Sequence, residues 1–382
     1  MNAISGRATR YLAAASSGLL LAGAFPPLDQ GLLAWVALVP LLWSVQSTSP
    51  GTAFRLGYLT GLIWFGVVLS WIIPFGLPAW AALIAVQALY VGGFAALLRW
   101  LSEQHPKWKL LLIPLVWSAV EVVRSTGPLG FPWALLGVSQ HRLLPVLQLA
   151  SLGGVHLVSL MVVLGNALVF TLLSGPRELN RRGLPVVAAL LLAVGIGFGL
   201  WRMQTPLTPG IRVAALQPNV PPLQKGVPET YEAQLRLMRQ LTQGARAQGA
   251  DLIVFPETAI PLNLLGPEGL AREVGSWAPD RVVVASSLEV DSRREGVRNS
   301  AVVIHGHRVL GIYTKRRLVP FGEVGITPGD QADPIVTPVG TVGIAISYES
   351  AFAEIGRSAA QQGAGIQLVL TNDGWFGVTA GP

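Results

Sequence analysis

The first half of the chain is built from apolar runs about as long as a bilayer is thick, and no other feature limits its fold so severely. A helix needs about 20 mostly apolar residues to cross the hydrocarbon core of a membrane. Candidate spans lie at roughly 11–27, 31–47, 56–75, 78–98, 110–123, 153–174 and 184–201. Each gap holds chain breakers or charges: Pro26 and Pro27, the stretch from Ser47 to Pro50, Pro74, Pro106, then Ser174, Gly175 and Pro176. The first run, preceded by Arg7 and Arg10, has the outline of a signal peptide. Six more runs follow it, which favours a retained first helix.

Charge sharpens this reading. Residues 1–202 hold twelve Lys/Arg against four acids (Asp29, Glu103, Glu121 and Glu178), a net of +8, and residues 203–382 net −1. The excess of base therefore belongs to the membrane half. It is spread between apolar runs rather than gathered in one patch, which argues against a nucleic-acid partner. Cytoplasmic loops favour Lys and Arg. With the N-terminus inside, nine basic residues lie inside (Arg7, Arg10, Arg55, Arg99, Lys107, Lys109, Arg177, Arg181 and Arg182) and three outside (Arg124, Arg142 and Arg202). Seven spans then place residues 203–382 outside, which in a bacterium is the periplasm. No span carries a string of carboxylates or histidines that would mark an ion path, and Glu121 beside Arg124 reads as an interfacial ion pair. The proline-broken, apolar segment 124–150 is either a loop covering the bundle or a half-embedded element lining a lipid-accessible site.

From Ile211 the pattern changes to short β runs separated by helices. Strands are expected at 211–217, 251–257, 281–287, 299–305, 308–314, 341–347 and 366–372, and helices at 229–246 and 351–363. Tyr231, Leu235, Met238 and Leu241 mark the buried face of the first of these helices. Alternating strands and helices predict an α/β sandwich. The domains are thus 1–202, a transmembrane bundle, and 203–382, an exposed α/β unit. Reactive groups in such sheets sit where strands end. Glu257, Lys315 and Ser347 each stand at a strand end, although singly they also read as a solvated loop carboxylate, a surface charge and a helix N-cap. There is no cysteine anywhere, so disulfides, thiolate metal sites and a cysteine nucleophile are excluded.

The words around these three positions, in order, are FPETAIP (255–261), YTKRRLVPFGE (313–323), GIAISYESAF (343–352) and TNDGWFG (371–377), after an opening ALQPNVP (215–221). They resemble the nitrilase (carbon–nitrogen hydrolase) superfamily and, given the multi-helix section in front, its apolipoprotein N-acyltransferase branch. The resemblance covers essentially the whole chain. It implies Glu257 as general base, Lys315 as stabiliser of the oxyanion, and position 347 as the acyl-accepting nucleophile. It implies Glu323 and Glu349 as supporting acids and Asn299, Tyr348, Trp375 and Phe376 as site-lining residues. The reaction implied is acyl transfer from a membrane phospholipid to the N-terminal amine of a diacylglyceryl-cysteine apolipoprotein, at the periplasmic face of the bacterial inner membrane. No metal or organic cofactor is implied.

The chain departs from the family pattern in several places. Ser347 stands where the family has cysteine, Gly226 where it usually has tryptophan, and Arg317 where it usually has histidine. The stretch 324–340 is short, and the family's sandwich continues beyond Pro382 to a further membrane helix, so the α/β unit is expected to be C-terminally incomplete. Two other readings stay open: a membrane-tethered amidase using the same three roles, and an impaired relic or lipoprotein-binding module. A transporter would fit seven spans but explains neither the exposed unit nor its motifs.

Overall fold

A computed structural model describes residues 6–127, 130–174, 183–205, 210–221, 224–267, 269–291, 296–320, 322–331, 333–377 and 379. The chain divides into two compact units, one up to residue 206 and one over 207–377. Arg177, Arg181 and Arg182 of the charge analysis lie outside the described residues.

The first unit contains α1 (Arg7–Gly23), α2 (Val39–Ser44), α3 (Pro50–Val68), α4 (Leu77–Gln104), α5 (Lys109–Ser125), α6 (Leu144–Leu147), α7 (Ala150–Leu173) and α8 (Gly183–Met203). Among the described residues, α3, α4, α7 and α8 are long and apolar enough to cross a membrane. Helices α1 and α5, at 17 residues each, come at the lower limit for a span.

The run at 31–47 is not the single helix expected. It forms a 3-10 turn (Gly31–Trp35) and then the six-residue α2. Pro40 contributes no N–H and disfavours helix at the residue before it. The break survives inside the bundle because two buried side chains satisfy its backbone. Asn166 of α7 accepts from the Leu38 N–H at 2.9 Å and donates to the Ala34 carbonyl at 2.8 Å. Ser17 of α1 donates to the Ala37 carbonyl and accepts from the Leu41 N–H.

Helix α3 begins earlier than expected. Pro50 occupies its first turn, and the Ser49 hydroxyl accepts from the Thr52 N–H. Arg55 accordingly lies within a helix rather than in a loop. Helices α3 and α4 pack most closely where Gly57 and Gly61 face the α4 backbone. A Cβ at Gly57 would stand 2.5 Å from the Val91 carbonyl oxygen, and one at Gly61 2.7 Å from the Ala88 Cα. Small residues four apart on one face are what allow this approach.

Glu121 and Arg124 are both buried, and the structure corrects the interfacial ion pair: no contact within ion-pair distance joins them among the described residues. Arg124 donates to Gln87 of α4 and to the carbonyls of Phe131, Trp133 and Ala134. Glu121 accepts from the Leu136 N–H at 2.8 Å, and its other oxygen faces His156 at 3.8 Å. Together they bind the irregular segment after α5 from its carbonyl side and its amide side. Such backbone needs partners within the protein wherever water is absent.

The second unit holds β1 (Val213–Ala215), α9 (Tyr231–Ala247), β2 (Leu252–Val254), α10 (Leu270–Ser276), β3 (Val282–Asp291), β4 (Gly296–His305), β5 (Arg308–Thr314), β6 (Ile335–Thr337), β7 (Gly340–Ile346), α11 (Ala353–Gln361) and β8 (Ile366–Leu370). The seven expected strands are present, and α10 and β6 are additions. Both are short, which explains why periodicity did not reveal them. One sheet runs β1-β2-β3-β4-β5, parallel through β3 and antiparallel after it, and the other runs β6-β7-β8. Leu252, Val254, Val284 and Val303 of the first sheet meet Val342, Ile344 and Ile346 of the second in one core. The opposite face of the first sheet packs with Met238 of α9 and Val274 of α10, and that of the second with Ile355 of α11. The result is a four-layer α-β-β-α sandwich.

Candidate active site

The carboxyl ends of β2, β5 and β7 deliver the three expected residues. Glu257 follows β2 on a tight loop in which Thr258 has φ +46°. It is 7% exposed, so it is not a solvated loop carboxylate. Its Oε1 accepts from Asn299 Nδ2 at 2.8 Å and from Lys315 Nζ at 3.2 Å. Asn299 comes from β4, and its carbonyl takes the Lys315 N–H at 2.8 Å, so one residue orients both partners of the pair.

Lys315, just past β5, is 1% exposed and is not a surface charge. Besides Glu257 it donates to Glu323 Oε1 at 2.8 Å. Glu323 in turn takes the Val319 N–H at 2.7 Å, which closes the loop between them. An ammonium this deep requires charged acceptors, since an unpaired buried charge is costly.

Ser347 directly follows β7 and opens a 3-10 turn (Ser347–Ala351) with φ +52°. That left-handed conformation is costly for a residue with a Cβ, and such strain concentrates at functional sites. Two braces hold this turn beside the Glu257 set. Ile346 pairs with Leu370 of β8, and the next carbonyl, of Thr371, accepts the Glu257 N–H at 3.4 Å. Glu349, fully buried, provides the second brace. Its Oε2 accepts from the Ile346 N–H and from the Tyr313 hydroxyl, both at 2.8 Å, and its Oε1 accepts from the N–H groups of Arg316 and Arg317. The carboxylate thus ties the end of β7 to the end of β5. It is no ordinary carboxylate after a strand. Burial, then the negative charge of Glu349 and the hydrogen bond to it, hold the Tyr313 hydroxyl well above the usual phenol range, with Arg316 opposing. Tyr313 remains a donor throughout the physiological range.

Tyr348 follows Ser347 on the same 3-10 turn. Its ring packs edge-on against Phe352, 4.9 Å between centroids, in the cluster beneath α11. Burial raises its hydroxyl above the ordinary value, with Arg317 opposing. Arg317 stacks over Phe352 at 4.0 Å and pairs with Glu354 at 2.9 Å. Trp375 and Phe376 lie in a 3-10 turn (Asp373–Phe376) after β8, and the Trp375 side chain is outside the described residues. Among the described residues there is no cluster of three or more His, Cys, Asp or Glu placed to hold a metal.

Three contributors escaped the sequence reading. Tyr313 lies within the YTKRR motif, yet only the structure shows its hydroxyl on Glu349. Glu289 of β3 is buried and accepts from the N–H groups of Leu264 and Leu265 and from the Ser287 hydroxyl, fixing the far end of the loop that starts at Glu257. Lys225 donates from Nζ to the Glu257 carbonyl at 3.1 Å. Its one signal was a lone cation in the apolar, proline-rich stretch 218–227.

The chain is similar to known proteins along nearly all of its length. Residues 17–168 match the apolipoprotein N-acyltransferase N-terminal domain, and residues 212–382 match the carbon-nitrogen hydrolase domain. An apolipoprotein N-acyltransferase of Geobacter metallireducens is 33% identical over 97% of this chain and 79% of its own length. Those of Gloeobacter violaceus (30% identical; 97% and 78% covered) and Chromobacterium violaceum (32%; 96% and 76%) are similar along the same extent.

Proposed function

This chain belongs to the apolipoprotein N-acyltransferase family, and on that premise we propose that its α/β unit carries out acyl transfer from a phospholipid through Glu257, Lys315 and Ser347. The observation that carries the reading is the hydrogen-bonded Glu257–Lys315–Glu323 set at the strand ends, with Ser347 on a strained turn braced to the same edge. In the first half-reaction the Ser347 hydroxyl attacks the donor's ester carbonyl while Glu257 takes its proton. Lys315 stabilises the oxyanion, and the departing lysophospholipid alkoxide recovers the proton from Glu257. In the second, the N-terminal amine of a diacylglyceryl apolipoprotein attacks the acyl-serine ester, and Glu257 takes the amine proton and passes it to the departing Ser347 oxygen. The acceptor leaves with a new amide.

We place the bundle in the bacterial inner membrane with seven crossings and the α/β unit on the periplasmic side, on the nine-to-three distribution of basic residues. Bonding at the helix ends supports that arrangement. Arg10 and Arg99, both assigned inside, donate to carbonyls of the 44–48 stretch, and Asp29 pairs with Arg142, both assigned outside.

Serine is a weaker nucleophile than cysteine at neutral pH and depends more on its base. The decisive experiment is intact-mass analysis of the full chain in phospholipid micelles. Ser347→Cys should take up an acyl group released by hydroxylamine, and adding Glu257→Gln should slow this by about 10²–10⁴. A folded Ser347→Cys chain that never acquires an acyl group would overturn the reading. Acylation of the unaltered chain at the cysteine variant's rate would identify Ser347 as a working nucleophile.

A further inference from the structure

Among the described residues, Lys225 is the cation bonded to Glu257 that the roles above leave unused. Its ammonium donates to the main-chain carbonyl of Glu257 at 3.1 Å, whereas the carboxylate of that residue is bonded by Asn299 and Lys315. Among the described residues it has no carboxylate within ion-pair distance, whereas Lys315 is committed to both Glu257 and Glu323. Lys225 is half-buried, with donors to spare.

Its position is built rather than incidental. The turn that carries it is pinned by the Gln224 carbonyl, which accepts from Gln234 Nε2 at 3.0 Å, the Thr230 hydroxyl at 3.1 Å and the Val227 N–H at 3.2 Å. Gln234 comes from α9 and is itself buried. A lysine on a turn held this way has already lost much of the freedom that makes surface lysines poor binders. Burial lowers its affinity for a proton, opposed by the nearby charge of Glu257, which is the signature of a cation lacking a full counter-charge.

Charge balance indicates what is missing. Glu257, Glu323 and Lys315 together carry a net negative charge, which would repel a phosphodiester approaching the reacting ester. Lys225 cancels it. In a glycerophospholipid the phosphate stands only a glycerol's length from the ester under attack, so it must lie close to the base that serves that ester's leaving oxygen. We propose that Lys225 receives the phosphodiester of the acyl donor and so selects phospholipids over neutral glycerides. This rests on the acyltransferase reading above.

The test separates the two. Ether-linked short-chain phosphatidylglycerol and the matching ether-linked diglyceride cannot be cleaved, so their binding to the full chain in detergent requires no chemistry. Calorimetry should show the phospholipid preferred by the unaltered chain. Lys225→Gln should weaken phospholipid binding roughly ten- to hundred-fold, the range for a charge-assisted hydrogen bond, and leave the diglyceride unchanged. Lys225→Arg should retain the preference. An unaltered chain with no preference, a preference that persists in Lys225→Gln, or equal weakening of both ligands would each overturn the proposal. Failure of the acyltransferase reading would appear instead as an acyl adduct that never forms in Ser347→Cys.

Discussion

The two units both bury charge, and they use it in opposite ways. In the helical unit, Arg124 and Glu121 bind main-chain groups of the irregular segment that follows α5. In the α/β unit, Glu257, Lys315 and Glu323 bind one another at the ends of strands. Charge committed to backbone repairs a fold that would otherwise leave polar groups unsatisfied. Charge held against charge, with the strained Ser347 turn braced to the same edge, is the arrangement on which the proposed proton transfer and oxyanion stabilisation rest. Burial alone does not distinguish structure from chemistry; the identity of the partners does.

That contrast can be broken most forcefully at Arg124. Arg124→Met removes the donor for three carbonyls and should destabilise the helical unit by about 3–5 kcal/mol, as loss of one partner from a buried charged network does. Thermal unfolding in detergent would register it. Retention of full stability would mean that the segment after α5 does not depend on Arg124.

Glu349 tests the intermediate case, a buried carboxylate near the chemistry that nevertheless binds mostly backbone. Glu349→Gln turns an amide donor toward groups that are already donors, and should cost about 1–3 kcal/mol of α/β-unit stability. Acyl-adduct formation in the Ser347→Cys background should fall with it, because the ends of β5 and β7 lose their tie. Full stability combined with lost acylation would make Glu349 a participant in the chemistry rather than a brace.

Gly61 sharpens the comparison from the other side. Gly61→Val forces side-chain atoms against Ala88 and should cost about 1–3 kcal/mol through overpacking. The loss should appear in the unfolding of the helical unit and leave the tryptic-fragment stability of the α/β unit unaltered.

The smallest effect is one of pH. Tyr313 keeps its proton in the folded unit beyond the point, about pH 10, at which an unfolded tyrosine loses it. The stability it contributes is therefore complete below about pH 10 and declines as pH rises through the folded value. The advantage of the unaltered chain over Tyr313→Phe, followed by unfolding midpoints, should be constant below pH 10 and shrink above it. An advantage that grows with pH would contradict the Tyr313–Glu349 bond.

The sequence by itself determined the helical first half, the alternating α/β second half and the positions of Glu257, Lys315 and Ser347 at strand ends. These are local properties: apolar run length, periodicity and the residue that follows a strand are all written in neighbouring positions. Tertiary structure decided what those residues touch. Asn166 repairs the break near Ala34 from 132 residues away, and Lys315 meets Glu257 across 58. Glu349 reads as one more acid after a strand until Tyr313 and the N–H groups of Arg316, Arg317 and Ile346 close around it. The run at 31–47 kept the composition of a span but not its helix, because Pro40 interrupts the hydrogen-bond ladder and only a folded neighbour can supply the missing partners. Hydrophobic pattern selects which face is buried. A buried polar group needs a partner at hydrogen-bond distance, and that partner is fixed only when distant parts of the chain come together.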